Sequence, residues 1–117
     1  MRADLERLTL APDLARILRE AEDIARQIPA PPHSLHVLLA LFTSDDPARH
    51  TLLDLGVDED KILELCDPRA EEPRQAMRRV LTRAASVAAG CGADQVRALH
   101  VLVAFTREPD TVARSVL

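Results

Sequence analysis

LHVLLALFT (residues 35–43) and LHVLVAFT (residues 99–106) are near-copies of one another within a chain of 117 residues. A histidine set into an apolar run is uncommon once, and its recurrence in the same surroundings asks for a cause. The likeness extends upstream. RILREAEDIA, from Arg16 to Ala25, lies over RVLTRAASVA, from Arg79 to Ala88, at an offset of 63 residues. There Arg16 meets Arg79, Leu18 meets Leu81, Ala21 meets Ala84 and Ala25 meets Ala88, while Ile17 and Ile24 meet Val80 and Val87. For the quoted stretch the offset is 64, so the first copy has one residue fewer in its connecting loop. Self-similarity at a fixed offset is the mark of a duplicated structural unit. The units run from about 12 to 66 and from about 73 to 117, joined by a linker at 67–72.

Each unit reads as helices. Leu14, Ile17, Leu18, Ala21, Ile24, Ala25 and Ile28 recur at helical spacing, and Pro12 suits a first turn, where its missing N–H costs nothing. The prolines of IPAPPHS end that helix. Ser34 is the expected N-cap of a second helix running to about Phe42. Asp46 caps a third, with Pro47 in its first turn, and Gly56 stops it as a C′ residue. Asp58 caps a fourth, with Ile62, Leu63 and Leu65 as its apolar side. The second unit repeats the plan: a helix from about Arg74 to Ala89, the loop GCGADQ, a helix from about Ala98 to Thr106, and another starting near Asp110. It has no counterpart of the fourth helix. No strict alternation suggests a sheet. The expected fold is all-α: one domain over 1–117, made of two pseudo-twofold-related four-helix repeats, the second lacking its last helix.

Composition excludes several function classes. Hydrophobic residues make up 47% and charged residues 29%, as in a globular chain. The only aromatics are Phe42 and Phe105, so the core is aliphatic. Net charge is −4 and the arginines are scattered, which disfavours nucleic acid as a partner. No apolar run approaches a membrane span, and the acidic N-terminus does not read as a secretory signal. Cys66 and Cys91 form no CxxC pair and no disulfide framework; they read as reduced, small buried hydrophobes in a cytoplasmic protein.

The pattern of two units, each with an R-φ-L-x-x-A-x-x-φ-A face (φ apolar) and a second helix opening [SA]-L-H-V-L-[LV]-A, resembles the double repeat of the Clp amino-terminal domain. That domain fronts the ClpA-, ClpB- and ClpC-type AAA+ unfoldases, and the likeness covers roughly residues 5–117. It implies a non-catalytic module that receives protein substrates or adaptors for an ATP-dependent machine. The chain has no G-x-x-x-x-G-K-[ST] phosphate loop, in keeping with such a module. The alternative is a free-standing accessory or regulatory protein of the Clp protease, or a module reused for dimerisation. In ClpC-type domains that read phosphorylated arginine, a glutamate precedes each motif histidine. Here those positions hold Leu35 and Leu99, which accept no hydrogen bond from a guanidinium, so that ligand is not carried over.

The expected contact surface is the pair of second-helix starts, around His33, Leu35, Arg97 and Leu99. His36 and His100 suggest a metal pair or general base, but neither has carboxylate or thiol company in its motif, so each is expected to be packed and bonded to the loop before it. His33, in the proline loop, and His50 are expected at the surface. Arg97, Arg107 and Arg114 read as solvated, with a local basic patch the lesser reading, and Arg78 and Arg79 read as solvated on a helix surface, with recognition of an acidic partner the lesser reading. Asp45 with Asp46, the acidic run 58–60 and Glu71 with Glu72 read as caps and solvated helix starts rather than an acid–base pair. No catalytic residue, cofactor or metal is expected, and homodimerisation through an apolar seam left by the missing helix is open.

Overall fold

The computed structural model describes residues 9–27, 33–43, 45–65, 72–73, 75–108 and 111–115. It is mostly helical. The described elements are β1 (Thr9–Leu10), α1 (Pro12–Gln27), α2 (Ser34–Ala40), α3 (Pro47–Asp54), α4 (Glu59–Leu65), α5 (Ala76–Gly90), β2 (Gln95–Val96) and α6 (Ala98–Phe105). Short 3₁₀ turns follow at Leu41–Thr43 and Val112–Ser115. Cys66, Ile28, Arg74, Asp110 and Leu117, used in the sequence reading, lie outside the described residues.

Local chemistry explains most boundaries. The α1 helix begins on Pro12 and buries Leu14, Ile17, Ala21 and Ala25, a stripe three to four residues apart. The Asp46 carboxylate accepts from the Ala48 N–H at 2.8 Å and Pro47 opens α3. Asp58 accepts from the Lys61 N–H at 2.8 Å and starts α4 in the same way. Two helices end alike. Gly56, at φ +80°, carries the chain out of α3, with Gly56 N–H bonded to the Leu53 carbonyl and Val57 N–H to that of Leu52. Gly92, at φ +73°, does this for α5, with bonds to the carbonyls of Ala89 and Ala88 from Gly92 and Ala93. Both are Schellman closures, and both need a residue that tolerates a left-handed backbone.

The centre of the molecule is α2, of which every residue from Ser34 to Ala40 is buried. It lies against α1, α4 and the last 3₁₀ turn, while α6 lies against α5 and α3. Leu35, Leu38 and Leu41 are fully enclosed; burying each leucine contributes about 2 kcal/mol. Phe105 and Val101 of α6, Val80 of α5 and Ile62 of α4 complete the core, which is aliphatic except for the fully buried Phe105 ring.

Several expectations need correction. Ser34 is not the N-cap of α2; His33 is, with extended backbone at φ −149°. The Ser34 hydroxyl instead donates to Glu72 at 2.6 Å and accepts from the Ala113 N–H at 2.9 Å, while the Ser34 N–H donates to the other Glu72 oxygen. Glu72 is therefore no solvated start of its own helix. It caps α2 from 38 residues away. A sheet, though minimal, is present: β1 pairs in parallel with β2, Thr9 opposite Gln95 and Leu10 opposite Val96. The segment expected as a helix near Asp110 is a 3₁₀ turn at Val112–Ser115. Cys91 is exposed rather than buried, because it sits at the C-cap of α5.

Ser34→Ala removes a long-range clasp and leaves the buried Ala113 N–H without its acceptor. It is expected to destabilise the fold by about 1–3 kcal/mol, read as a lower midpoint in urea unfolding.

Candidate functional site

Two places carry the side chains singled out by the sequence, and they are the starts of α2 and α6. At α2, the His33 N–H donates to His36 Nδ1 at 3.0 Å, and His33 Nδ1 accepts from the Leu35 N–H at 3.2 Å. This is a capping box in which histidines take both roles that Ser/Thr and Glu/Gln usually fill. The rings lie close together, with centroids 4.2 Å apart and planes tilted by 39°. Because each Nδ1 is an acceptor, the proton of each neutral ring sits on Nε2. His33 Nε2 is buried and has no hydrogen-bond partner among the described residues.

At α6 only half of this arrangement survives. The Arg97 N–H donates to His100 Nδ1 at 2.9 Å. Arg97 stands where His33 stands at α2, and a guanidinium has no acceptor to return to the helix. Arg97 and Leu99 instead border a small cavity of about 70 Å³, shared with Ala11, Asp13, Asp46 and Pro47. Burial of the His100 ring, and then the Arg97 charge beside it, push its pKa below the ordinary 6.5.

The four residues expected on a contact surface thus divide. His33 and Leu35 are buried, at 5% and 0% exposure, and present no surface. The proline-rich loop suggested exposure for His33, but its ring is drawn inward by the two capping bonds. Arg97 and Leu99 are exposed, and Leu99 lies one turn before Val103 on the same outer side of α6, each 38% exposed. The difference between Leu35 and Leu99 follows from neighbours: α2 lies between α1, α4 and the last 3₁₀ turn, whereas α6 has α5 and α3 as its chief neighbours. Four more leucines, Leu53, Leu55, Leu63 and Leu65, are exposed on α3, its C-cap and α4. His50 is exposed and pairs with Asp45.

A third place includes Arg78 and Arg79, expected as solvated surface with recognition of an acidic partner the lesser reading. One side of α5 lines an open groove of about 510 Å³ with Gln75, Arg78, Arg79, Thr82, Arg83 and Ser86. Glu108 closes its floor, 7% exposed, with Arg83 Nε at 2.9 Å and Arg79 Nε at 3.6 Å from its two carboxylate oxygens. The spacing of 75, 78, 79, 82, 83 and 86 was the available signal, since it places all six on one helical face. Among the described residues no three His, Cys, Asp or Glu side chains are grouped to hold a metal ion. None of the described helices is long and apolar enough to cross a membrane. No family model matches the chain, and no curated protein matches it.

His36 is fully buried and His100 is not, so truncation separates them. His36→Ala is expected to cost about 2 kcal/mol or more, and His100→Ala about 1 kcal/mol, in paired thermal melts. His100→Gln keeps an acceptor at the third helical position but does not titrate. The unfolded chain protonates this histidine near pH 6.5, before the folded chain does. Its stabilising contribution is therefore complete above about pH 6.5 and is lost as pH falls through the lower folded value. Melting temperatures of the His100→Gln variant are expected to vary less with pH than the parent's below pH 6.5.

Proposed function

We propose that the chain is a non-catalytic protein-interaction module of Clp amino-terminal type, two helical repeats that receive a protein substrate or adaptor. The observation that carries this reading is the exposed edge of α6, where Leu99 and Val103 stand on the outer side of a helix whose other side fills the core, with Arg97 at its start. An apolar pair beside a cationic side chain suits an extended or unfolded polypeptide, whose apolar side chains seek cover and whose carbonyls accept from guanidinium. The two-repeat arrangement is supported by corresponding bounds. The α1 and α5 helices end at residues offset by 63, and α2 and α6 begin at residues offset by 64. It is supported too by a reciprocal packing: α3 of the first half lies on α6 of the second, and the 3₁₀ turn of the second half lies on α2 of the first. The sequence likeness to Clp domains supplies the rest. A place within a larger ATP-dependent machine, and a cytoplasmic setting, belong to the same proposal.

A second reading, a dimerising module, is favoured by the exposed leucines Leu53, Leu55, Leu63 and Leu65. Sedimentation equilibrium separates the two, since a monomer across micromolar concentrations excludes dimerisation through that surface.

The interaction reading is tested by titrating the chain with a permanently unfolded, fluorescently labelled polypeptide. Leu99→Glu combined with Val103→Glu is expected to abolish binding while leaving the far-UV helical signal intact. Retention of binding by that folded variant overturns the α6 surface. Leu35→Glu, which places a carboxylate in the core, is expected to unfold the chain instead.

A further inference from the structure

The arginine-lined groove on α5 is used by neither the fold's core nor the α6 surface, and it shares no lining residue with the cavity at Arg97 and Leu99. We infer that this groove is a docking site for a carboxylate-rich segment of a partner protein. The inference rests on the reading of the chain as an interaction module, and names a class of partner for it.

Charge carries the first part of the argument. Among the described residues the groove is lined by three guanidiniums, those of Arg78, Arg79 and Arg83, and one carboxylate, that of Glu108, which Arg79 and Arg83 both approach. The local excess is positive in a chain whose net charge is −4. Arg78 is exposed and has no ion pair among the described residues. The excess is particular to this helix. At the positions offset by 63 from Arg78, Arg79, Thr82, Arg83 and Ser86, α1 carries Ala15, Arg16, Arg19, Glu20 and Asp23, and of its arginines Arg16 and Arg26 pair with its own Asp13 and Asp23. Arg78 in place of Ala15, Arg83 in place of Glu20 and Ser86 in place of Asp23 outweigh the arginine lost where Thr82 stands for Arg19, and a balanced face becomes a cationic one.

Geometry selects the occupant. Glu108 sits against Nε of both Arg79 and Arg83 and is nearly buried, so the place between them that a single compact anion would take is filled by the chain's own carboxylate. That contact also fixes two long side chains, which lowers the entropy cost of an incoming ligand. The groove runs from Gln75 to Ser86, about 16 Å at the helical rise. An extended peptide of about five residues spans that length. The absence of aromatic side chains from the described lining argues against a nucleic-acid strand, which relies on stacking and on many phosphate contacts.

The test is fluorescence anisotropy on the full chain with a labelled peptide of glutamates spaced by glycine and serine. Its controls are the same peptide with glutamine for glutamate, inorganic phosphate, and a single-stranded oligonucleotide. Binding of the acidic peptide alone is expected. It should weaken strongly as salt rises from about 0.01 M to about 0.15 M, where the screening length falls from about 30 Å to about 8 Å. Arg78→Glu is expected to weaken binding about tenfold or more, and Arg78→Gln to weaken it less. Both leave the Glu108 pairing untouched, and an unchanged circular dichroism spectrum establishes that they fold. Leu99→Glu should leave acidic-peptide binding as it was, which keeps this test separate from that of the α6 surface. Equal affinity for the glutamine peptide, full binding by folded Arg78→Glu, displacement by phosphate at equimolar concentration, or tighter binding of the oligonucleotide would each overturn the proposal.

Discussion

The start of α2 is the point on which the rest of the structure depends. A helix buried along its whole length cannot send its leading N–H groups to water, so each must find a partner inside the protein. The chain answers from three directions. The His36 ring accepts from the His33 N–H, the His33 ring from that of Leu35, and Glu72, on the approach to α5, from that of Ser34, whose hydroxyl in turn accepts from the Ala113 N–H.

The start of α6 faces a milder version of the same constraint. It keeps the His100 bond to the preceding N–H but has an arginine where the second histidine would be, and its outer side remains open. The two motifs that look alike in the sequence therefore differ in burial, and with it in consequence. One is structural throughout. The other leaves Leu99, Val103 and Arg97 at the surface.

Much of the fold was legible because its signals are local. The stripe from Leu14 to Ala25, Pro12 and Pro47 as helix openers, Asp46 and Asp58 as caps and Gly56 as a stop all act within a few residues of themselves. Gly92 carried the same signal as Gly56 and went unread, since GCGADQ looks like an undifferentiated loop. What escaped was long-range. Nothing near Glu72 indicates that it serves Ser34, and a two-residue pairing such as β1 with β2 is too short to leave a periodic trace. His33 was placed at the surface by its proline neighbours; the companion signal, a second histidine three residues on, is a capping box written in unusual residues. At the candidate sites, residue type pointed to the helix starts, but which half would be covered depended on neighbours that sequence spacing does not reveal.

The parallel pairing of Thr9–Leu10 with Gln95–Val96 has a consequence for how the chain reaches this state. The partners of β1 are separated from it by most of the chain, as is Ala113 from Ser34, 79 residues apart. Contacts of such separation form late, after the entropy of closing a long loop has been met. During synthesis the first half emerges with α1 and α4 available to α2, but the Ser34 N–H and hydroxyl and the side taken by the last 3₁₀ turn stay open until the second half follows. Until then the buried start of α2 is the part of the first half still dependent on water for its hydrogen bonds, so the seal on this helix is the last thing the chain supplies.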